Sequence, residues 1–385
     1  MIHYITIWGE NNIGRNLSYS PAGLKKAKYV VDVLSRIDTT KIVSFANGGC
    51  KWNGLYRKTT QEWNDDISIE YCFTFGSSNK YVRMIERCIN ILQMCLYLLH
   101  VPKNDVIVFY HERYFKHAIK FLRIFKKEPR IIYQVEEIYT LAGNYSQKMV
   151  NEEIQSIKQA DAYILVNDII SSILELPPFK PSCISYGAYM PQNDQPYIGE
   201  SDDRVHVVYA GIFDRIKRGA EMAINACKYL PRNYCIHIAG FGKPEDVHYI
   251  TSLIETIRKD SKCEIIYEGC LSGNDYDKLM SKCSIGLSTQ TSGEFKYADT
   301  SFPSKVINYL SYGLTVVSTK IKVLELCKIS DYLSFYSNDT PQAVANAIIN
   351  CPIIDRQKAK LKIKELDNIF QMQLQNIIQC LKKKQ

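Results

Sequence analysis

TSFPSKVINYLSYGLTVVS, residues 300–318, decides the fold. Pro303 suits the first turn of a helix, where its missing N–H costs nothing. Ser304 is a good N-cap, and Gly313 is a good stop. The apolar residues between them recur at helical spacing, and TVVST (315–319) reads as a buried strand. Lys305 conflicts with this plan, because a helix N-terminus already carries partial positive charge. An anion on the helix mouth removes the conflict; so does a lysine that reaches out to solvent.

Working outward, strand and helix patterns alternate along the chain. Before this stretch come the strand-like runs HVVYAGIF (206–213), YCIHIAG (234–240), CEIIYEG (263–269) and SIGLST (284–289), separated by helical patterns. The first half repeats the rhythm, with strand-like runs at 3–9, 41–47, 106–110, 130–137 and 162–167 and helical patterns at 21–36, 81–99, 113–125 and 146–160. Such alternation implies right-handed βαβ units and parallel sheets covered on both faces. GAYMPQNDQPYIGESDDR (187–204) interrupts it with Pro, Gly, Asn and Asp. The expected architecture is therefore α/β, with two Rossmann-like domains in tandem. Residues 1–188 form the first, 189–204 the linker and 205–385 the second, with a final amphipathic helix at about 355–382 that can cross back to the first.

The chain has 385 residues, 46% of them hydrophobic, which is an ordinary globular composition. Its net charge of +8 fits anionic substrates or an anionic membrane surface, but is too weak to argue for nucleic acid. The 13 cysteines show no CxxC pairing and no histidine partners at metal spacing. They read as reduced core residues of a cytoplasmic protein, with no metal site and no cofactor expected. MIHYITIWGENN at the start reads as a first strand rather than a signal peptide. No run reaches the about eighteen apolar residues of a membrane span.

In open α/β sheets, ligands bind beyond the carboxyl ends of strands, against helix N-termini. GIFDRIKRGAEMA (211–223) places Gly211 at a strand end, then Arg215, Lys217 and Arg218 before a helix. Free N–H groups beside guanidinium and ammonium groups suit a phosphate, while a solvated basic turn has the same composition. YEGCLSGNDYDKL (267–279) offers Glu268, Gly269 and Leu271 at another strand end, where backbone groups can meet a base edge or simply form a loop. Ser301, Pro303, Ser304 and Lys305 complete the set at the helix mouth. In the first half, His111 and Glu112 follow the strand VIVFY, and Glu136 and Glu137 end RIIYQVEE. Asn12, Gly14, Arg15 and Asn16 lie in the first βα loop. No Walker P-loop, GxGxxG after the first strand, HExxH or GxSxG is present.

GIFDRIKRGA, YEGCL and above all SFPSKVINYLSYGLTVVS resemble the donor domain of GT-B glycosyltransferases of the family-4 type, which build bacterial surface polysaccharides. NLSYSPAGLKKAKYVVDVL, FYHERYF and QVEEIYTLAGNYS resemble their acceptor-domain segments. The resemblance implies a nucleotide-sugar donor, most often a UDP-sugar, on the second domain and an acceptor on the first. It implies retaining, metal-independent transfer in O-antigen, capsule or exopolysaccharide assembly. It gives catalytic roles to His111, Arg215 and Lys305. Donor binding falls to Gly211, Lys217, Arg218, Glu268, Gly269, Leu271, Ser301, Pro303, Ser304 and Asn308. Acceptor binding falls to Asn12, Gly14, Arg15, Glu112, Glu136 and Glu137. The chain departs from the family at Thr300 and Asn308, where members often carry glutamates; Glu294 lies close by in sequence. An amide cannot serve a ribose as a charged acceptor.

RYFKHAIKFLRIFKKEPR (113–130) holds seven Lys/Arg against one Glu, with apolar residues at helical spacing. It suits either an anionic membrane surface or a core helix with a basic outer face. The leading expectation is a cytoplasmic hexosyltransferase, peripheral at the inner leaflet, acting on a lipid-linked oligosaccharide. The alternatives are a catalytically silent GT-B subunit that binds glycan or a partner transferase, and a UDP-sugar epimerase of the same fold.

Overall fold

Ile2–Thr6 is buried at every position, as an inner parallel strand must be. This is β1 of a computed structural model that describes residues 1–10, 14–49, 54–126, 128–143, 145–192, 202–291 and 298–383. Asn12 and Glu294 lie outside the described residues. The Ser20 hydroxyl accepts the Gly23 N–H at 3.3 Å, and Pro21 takes the first position of α1, Pro21–Ser35. Then follow β2 Thr40–Ser44, β3 Leu55–Tyr56, β4 Thr59–Asn64, β5 Ile67–Tyr71, β6 Thr74–Phe75 and α2 Lys80–His100. After these come β7 Val106–Tyr110, α3 Phe115–Phe125, β8 Arg130–Val135, α4 Tyr139–Ala142, α5 Gln147–Ile157, β9 Ala162–Leu165, α6 Ile170–Ile173 and β10 Ser182–Ile184. The sheet runs β10-β9-β8-β7-β1-β2-β5-β4, parallel except for β4, which pairs antiparallel with β5.

The sequence pattern does not reveal β5. Its inward Glu70 breaks the apolar run, yet Lys41 at 2.8 Å and Lys58 at 2.7 Å neutralise that carboxylate. The pairing partners lie on β2 and in the loop before β4, so only the assembled sheet explains the residue.

The second sheet is built from β11 Val205–Ile212, β12 Tyr234–Phe241, β13 Glu264–Gly269, β14 Ile285–Ser288, β15 Thr315–Thr319 and β16 Leu333–Tyr336. Its helices are α7 Gly219–Ala226, α8 Pro244–Arg258, α9 Gly273–Lys282, α10 Ser304–Ser311, α11 Lys322–Glu325, α12 Pro341–Asn350 and α13 Arg356–Lys383. The order β13-β12-β11-β14-β15-β16 is wholly parallel. The chain winds outward from β11 to β13, then returns to β14 on the other side of β11. The crevice between β11 and β14 is thus the point where winding reverses, where such sheets bind ligands.

By internal contacts the chain divides into Met1–Ala188 with Asn368–Gln385, and Tyr189–Asp367. The division runs through α13. In the first unit, Phe370 stacks on Tyr29 with centroids 5.7 Å apart, and Lys382 pairs with Asp38. In the second, the Arg356 guanidinium donates to the carbonyls of Tyr312 and Cys283.

Candidate functional site

The 300–318 stretch folds as a helix and a strand, with one local difference. Pro303 is the N-cap of α10, and Ser304 is its first helical residue, exposed and making no side-chain cap bond. Gly313 ends the helix at φ +77°, the left-handed region that glycine enters freely.

Three glycines and a tyrosine shape the crevice. β11 and β14 pair only at Val207–Ile285 and Val208–Gly286, then part. Tyr309 from α10 bridges the gap, accepting the Ala210 N–H at 2.9 Å and donating to the Leu287 carbonyl at 3.3 Å. It lies flat on Gly286, where a Cβ would stand 2.4 Å from the ring. Gly219 opens α7 so close to β14 that a Cβ would meet the Thr289 carbonyl at 2.4 Å, and Thr289 donates to the Gly219 carbonyl at 2.7 Å. Thr291 N–H donates to the Lys217 carbonyl at 2.9 Å, so the loops after β11 and β14 form one wall.

Lys305 lies across this wall. Its ammonium sits 3.6 Å from the centroid of the Tyr209 ring, and a Cβ on Gly211 would come within 2.6 Å of it. Among the described residues no carboxylate pairs with it. Burial pushes its pKa down to about 7, and the positive charge of Lys217 adds to the fall. Although its surface keeps some exposure, dense surroundings on all sides make the loss of hydration the larger effect. The first N–H groups of α10 lack intrahelical partners, as in every helix. Lys305, Lys217 and the helix mouth therefore form a locus that an anion would stabilise.

The other basic candidates turn elsewhere. Arg215 donates to Asp246 at 2.7 Å and lies 4.7 Å over the Tyr249 ring, toward α8. Arg218 holds a left-handed φ of +51° just before α7 and pairs with Glu221. Both arginines are exposed, while their carboxylate partners are largely covered. Glu268 turns its carboxylate onto the sheet, 2.6 Å from His237, leaving Gly269 (φ +71°) and Leu271 at the strand end. Ser301 precedes Pro303 on the approach to α10. Asn308, one turn into α10, donates to the Tyr276 hydroxyl at 2.6 Å.

In the first unit, His111 at the end of β7 is fully buried between the rings of Tyr133 and Tyr139. Its Nε2 lies 3.1 Å from Glu153 Oε1 but out of line for a hydrogen bond. Glu153 also accepts the N–H groups of Tyr139 at 3.0 Å and Thr140 at 2.9 Å, capping α4. Burial raises the Glu112 carboxyl above its ordinary range, against the charge of His111. Glu136 is held by Lys26 at 2.9 Å and by Gln134 at 2.6 Å, while Glu137 follows it at the strand end. Arg15 is committed to the Arg57 carbonyl and the Thr59 hydroxyl, both at 2.6 Å, and Gly14 beside it stands at φ +65°.

No protein-family profile and no curated protein sequence matches the chain. Solved structures do. Anabaena Alr3699/HepE in complex with UDP and glucose matches with a TM-score of 0.64 at 15% identity, over 99% of this chain and 97% of that one. The fold is GT-B. An α,α-trehalose-phosphate synthase (UDP-forming) from Burkholderia xenovorans, in complex with glucose-6-phosphate, matches with a TM-score of 0.63 at 11% identity, over 99% of this chain and 100% of that one. The apo lipopolysaccharide outer core galactosyltransferase WaaB matches with a TM-score of 0.61 at 14% identity, over 98% and 99%. At these identities the likeness is one of fold.

Within this GT-B fold, sequence reasoning passes over Tyr209, Tyr309, Lys26 and Glu153. Tyr209 was within reach, since strand alternation puts it on the face of Gly211. Glu153 was not: it sits mid-helix, and only the packing of α5 against α3 and α4 brings it to His111.

Proposed function

We propose that the chain is a glycosyltransferase that holds the diphosphate of a UDP-sugar at the Lys305 locus. The observation that carries this is the Lys305 ammonium, without a carboxylate partner among the described residues, at the reversal point of a parallel sheet and beside a second lysine. A cation left in that state loses hydration with no compensating charge. A diphosphate supplies the charge. In the reaction, the bond from the sugar C1 to the β-phosphate oxygen breaks as the acceptor hydroxyl forms a new one to C1. Negative charge grows on the leaving phosphate, where Lys305, Lys217 and the α10 N–H groups favour it. That phosphate can take the acceptor proton, so no side-chain base is assigned. The exposed guanidinium groups of Arg215 and Arg218 can exchange their carboxylate partners for phosphate. Retention and a sugar-bearing acceptor held by the first unit belong to the same reading.

The finer reading is a lipid-linked oligosaccharide acceptor at an anionic membrane. α3 buries Phe115, Ala118, Ile119 and Leu122 in the core, so most of its apolar stripe is taken. α2 differs. It buries Met94, Cys95 and Leu98 together with Glu86 and Asn90, yet exposes a second apolar set, Met84, Ile85, Leu92, Leu96 and Leu99, at helical spacing. Arg83, Arg87 and Lys80 flank its first half, as an interfacial helix requires. Among the described residues no helix is long and apolar enough to cross a membrane.

The test is a thermal-shift series with UDP, GDP, CDP, TDP and ADP in the presence of EDTA. A ligand at about 100 times its Kd stabilises by roughly 2.7 kcal/mol. Stabilisation by UDP that disappears in Lys305→Ala supports the assignment; equal stabilisation in both proteins sinks it. A second reading, a silent subunit, is favoured by the Asn308 amide, which is engaged with Tyr276 where family members offer a ribose a carboxylate. It predicts UDP binding with neither transfer nor donor hydrolysis.

A further inference from the structure

His206 on β11 and Cys235 and His237 on β12 share one face of the second sheet, away from the strand-end crevice. Alternation puts Cys235 and His237 on that face together, and the register sets His206 opposite Cys235. All three are buried. His206 Nδ1 lies 2.8 Å from His237 Nε2, and Cys235 Sγ lies 3.6 Å from the same Nε2. The three inward atoms fall within 4.8 Å of one another.

The outward nitrogens decide what the inward ones can be. His206 Nε2 is 2.9 Å from Asp202 Oδ1, and His237 Nδ1 is 2.6 Å from Glu268 Oε1. An ionised carboxylate only accepts, so each outward nitrogen carries the hydrogen. In neutral rings the two inward nitrogens are then bare lone pairs facing each other. That arrangement repels unless a positive centre stands between them, either a proton or a metal ion. The adjacent thiol favours the metal. Around a tetrahedral zinc ion, bonds of about 2.0 Å to nitrogen and 2.3 Å to sulfur put N and S about 3.6 Å apart and two N atoms about 3.3 Å apart. The distance from His237 Nε2 to Cys235 Sγ already matches; the rings need to part by roughly 0.5 Å. Carboxylates on the outer ring nitrogens are the usual supports of metal-binding histidines. Glu264 Oε2, 3.5 Å from Cys235 Sγ, can close the fourth position by leaving Arg204.

We propose that His206, Cys235, His237 and Glu264 bind a zinc-class divalent ion that ties β11, β12 and β13 together. His206 lies five residues upstream of Gly211, about 16 Å along the strand, so this ion would not touch a diphosphate in the crevice. Its role is structural. On binding, the thiol proton is released and sulfur becomes the ligand.

The test is titration of the chelator-treated full chain with Co²⁺, followed by Zn²⁺. Expected are one tight equivalent, the visible bands of tetrahedral cobalt, a near-ultraviolet thiolate-to-cobalt band, and displacement by Zn²⁺. Cys235→Ser should lose the thiolate band, with its fold checked by circular dichroism. Glu268→Gln leaves all four ligands in place and should bind about 10- to 100-fold more weakly. No cobalt binding by the wild type overturns the proposal. So does a thiolate band unchanged in Cys235→Ser, which would place the ion on other cysteines, or an affinity unchanged in Glu268→Gln. Failure here leaves the UDP thermal shift unaffected, because that measurement is made with EDTA.

Discussion

The Lys305 ammonium rests 3.6 Å from the centroid of the ring of Tyr209, a residue of β11 three positions before the strand ends at Ile212. The ring face offers partial negative charge and little hydration. It therefore positions the cation without neutralising it. Replacing Tyr209 by Leu should keep the strand but weaken UDP binding several-fold, and Lys305→Ala should weaken it about 10- to 100-fold, the range of a charged hydrogen bond. Isothermal titration with UDP measures both.

The lowered Lys305 pKa has a direction in pH. Unfolded, a lysine titrates near about 10.4. Folded, this one titrates at about 7. Between those values the folded state binds fewer protons, so this group makes stability rise with pH through that window. A bound diphosphate restores the charge, so UDP affinity should fall over the same window. At about pH 8, calorimetry in two buffers of different ionisation enthalpy should show uptake approaching one proton per UDP. Lys305→Met should show none; uptake equal to wild type would mean another group titrates.

Gly211→Ala and Gly240→Ala should divide their effects differently between UDP affinity and stability. A Cβ at Gly211 meets only the end of Lys305, at 2.4 Å from Cε, and a flexible side chain can swing aside. Gly211 also stands at φ +157°, which L residues rarely adopt, so Ala adds backbone strain and stability should fall modestly while UDP affinity drops at least tenfold. A Cβ at Gly240 meets the Gly211 carbonyl at 2.0 Å, and backbone in the sheet cannot move. That variant should lose about 1–3 kcal/mol. Urea unfolding and UDP titration on both variants check the contrast.

Glu153 is a stability residue with a pH signature. Burial pushes its carboxyl up, but His111 and the Thr140 donors outweigh this and hold it below the ordinary range. A depressed carboxyl contributes fully above about pH 4.3 and loses that contribution as pH falls through its folded value. Glu153→Ala should also leave the Tyr139 and Thr140 N–H groups short of an acceptor, at about 1–3 kcal/mol each. Denaturant melts at neutral and acid pH should show a large loss at neutral pH and a shallower acid dependence in the variant.

The α2 stripe predicts salt-sensitive binding to anionic vesicles. Leu92→Glu with Leu96→Glu should abolish sedimentation with phosphatidylglycerol vesicles while leaving UDP affinity unchanged. Both leucines are exposed, so the fold should tolerate the change. Undiminished sedimentation would reject α2 as the docking face.

The short-range signals were legible because they act within a few residues. Pro303, the apolar spacing of α10 and Gly313 mark a helix and its stop in any context. Ser20 and Pro21 do the same for α1. What those signals could not carry was partnership at a distance. Glu70 is matched by Lys41 only because β2 lies beside β5 in the sheet. Asn308 and Glu268 looked like open ligand groups, but Tyr276 and His237 hold them.

From its own residues, the sequence determined the alternation of strands and helices, hence two parallel α/β sheets, and the place of a lysine at one helix mouth. Those follow from local backbone preference and from the burial of apolar stripes. Only the tertiary structure decided which charges meet. It left Lys305 beside Lys217 and an aromatic face, gave Arg215 and Arg218 carboxylates, set His111 against Glu153, and closed His206, Cys235 and His237 into one cluster. The physical reason is register. Strand pairing and helix packing set separations between residues far apart in the chain, and electrostatic and coordination chemistry depend on those separations to within an ångström.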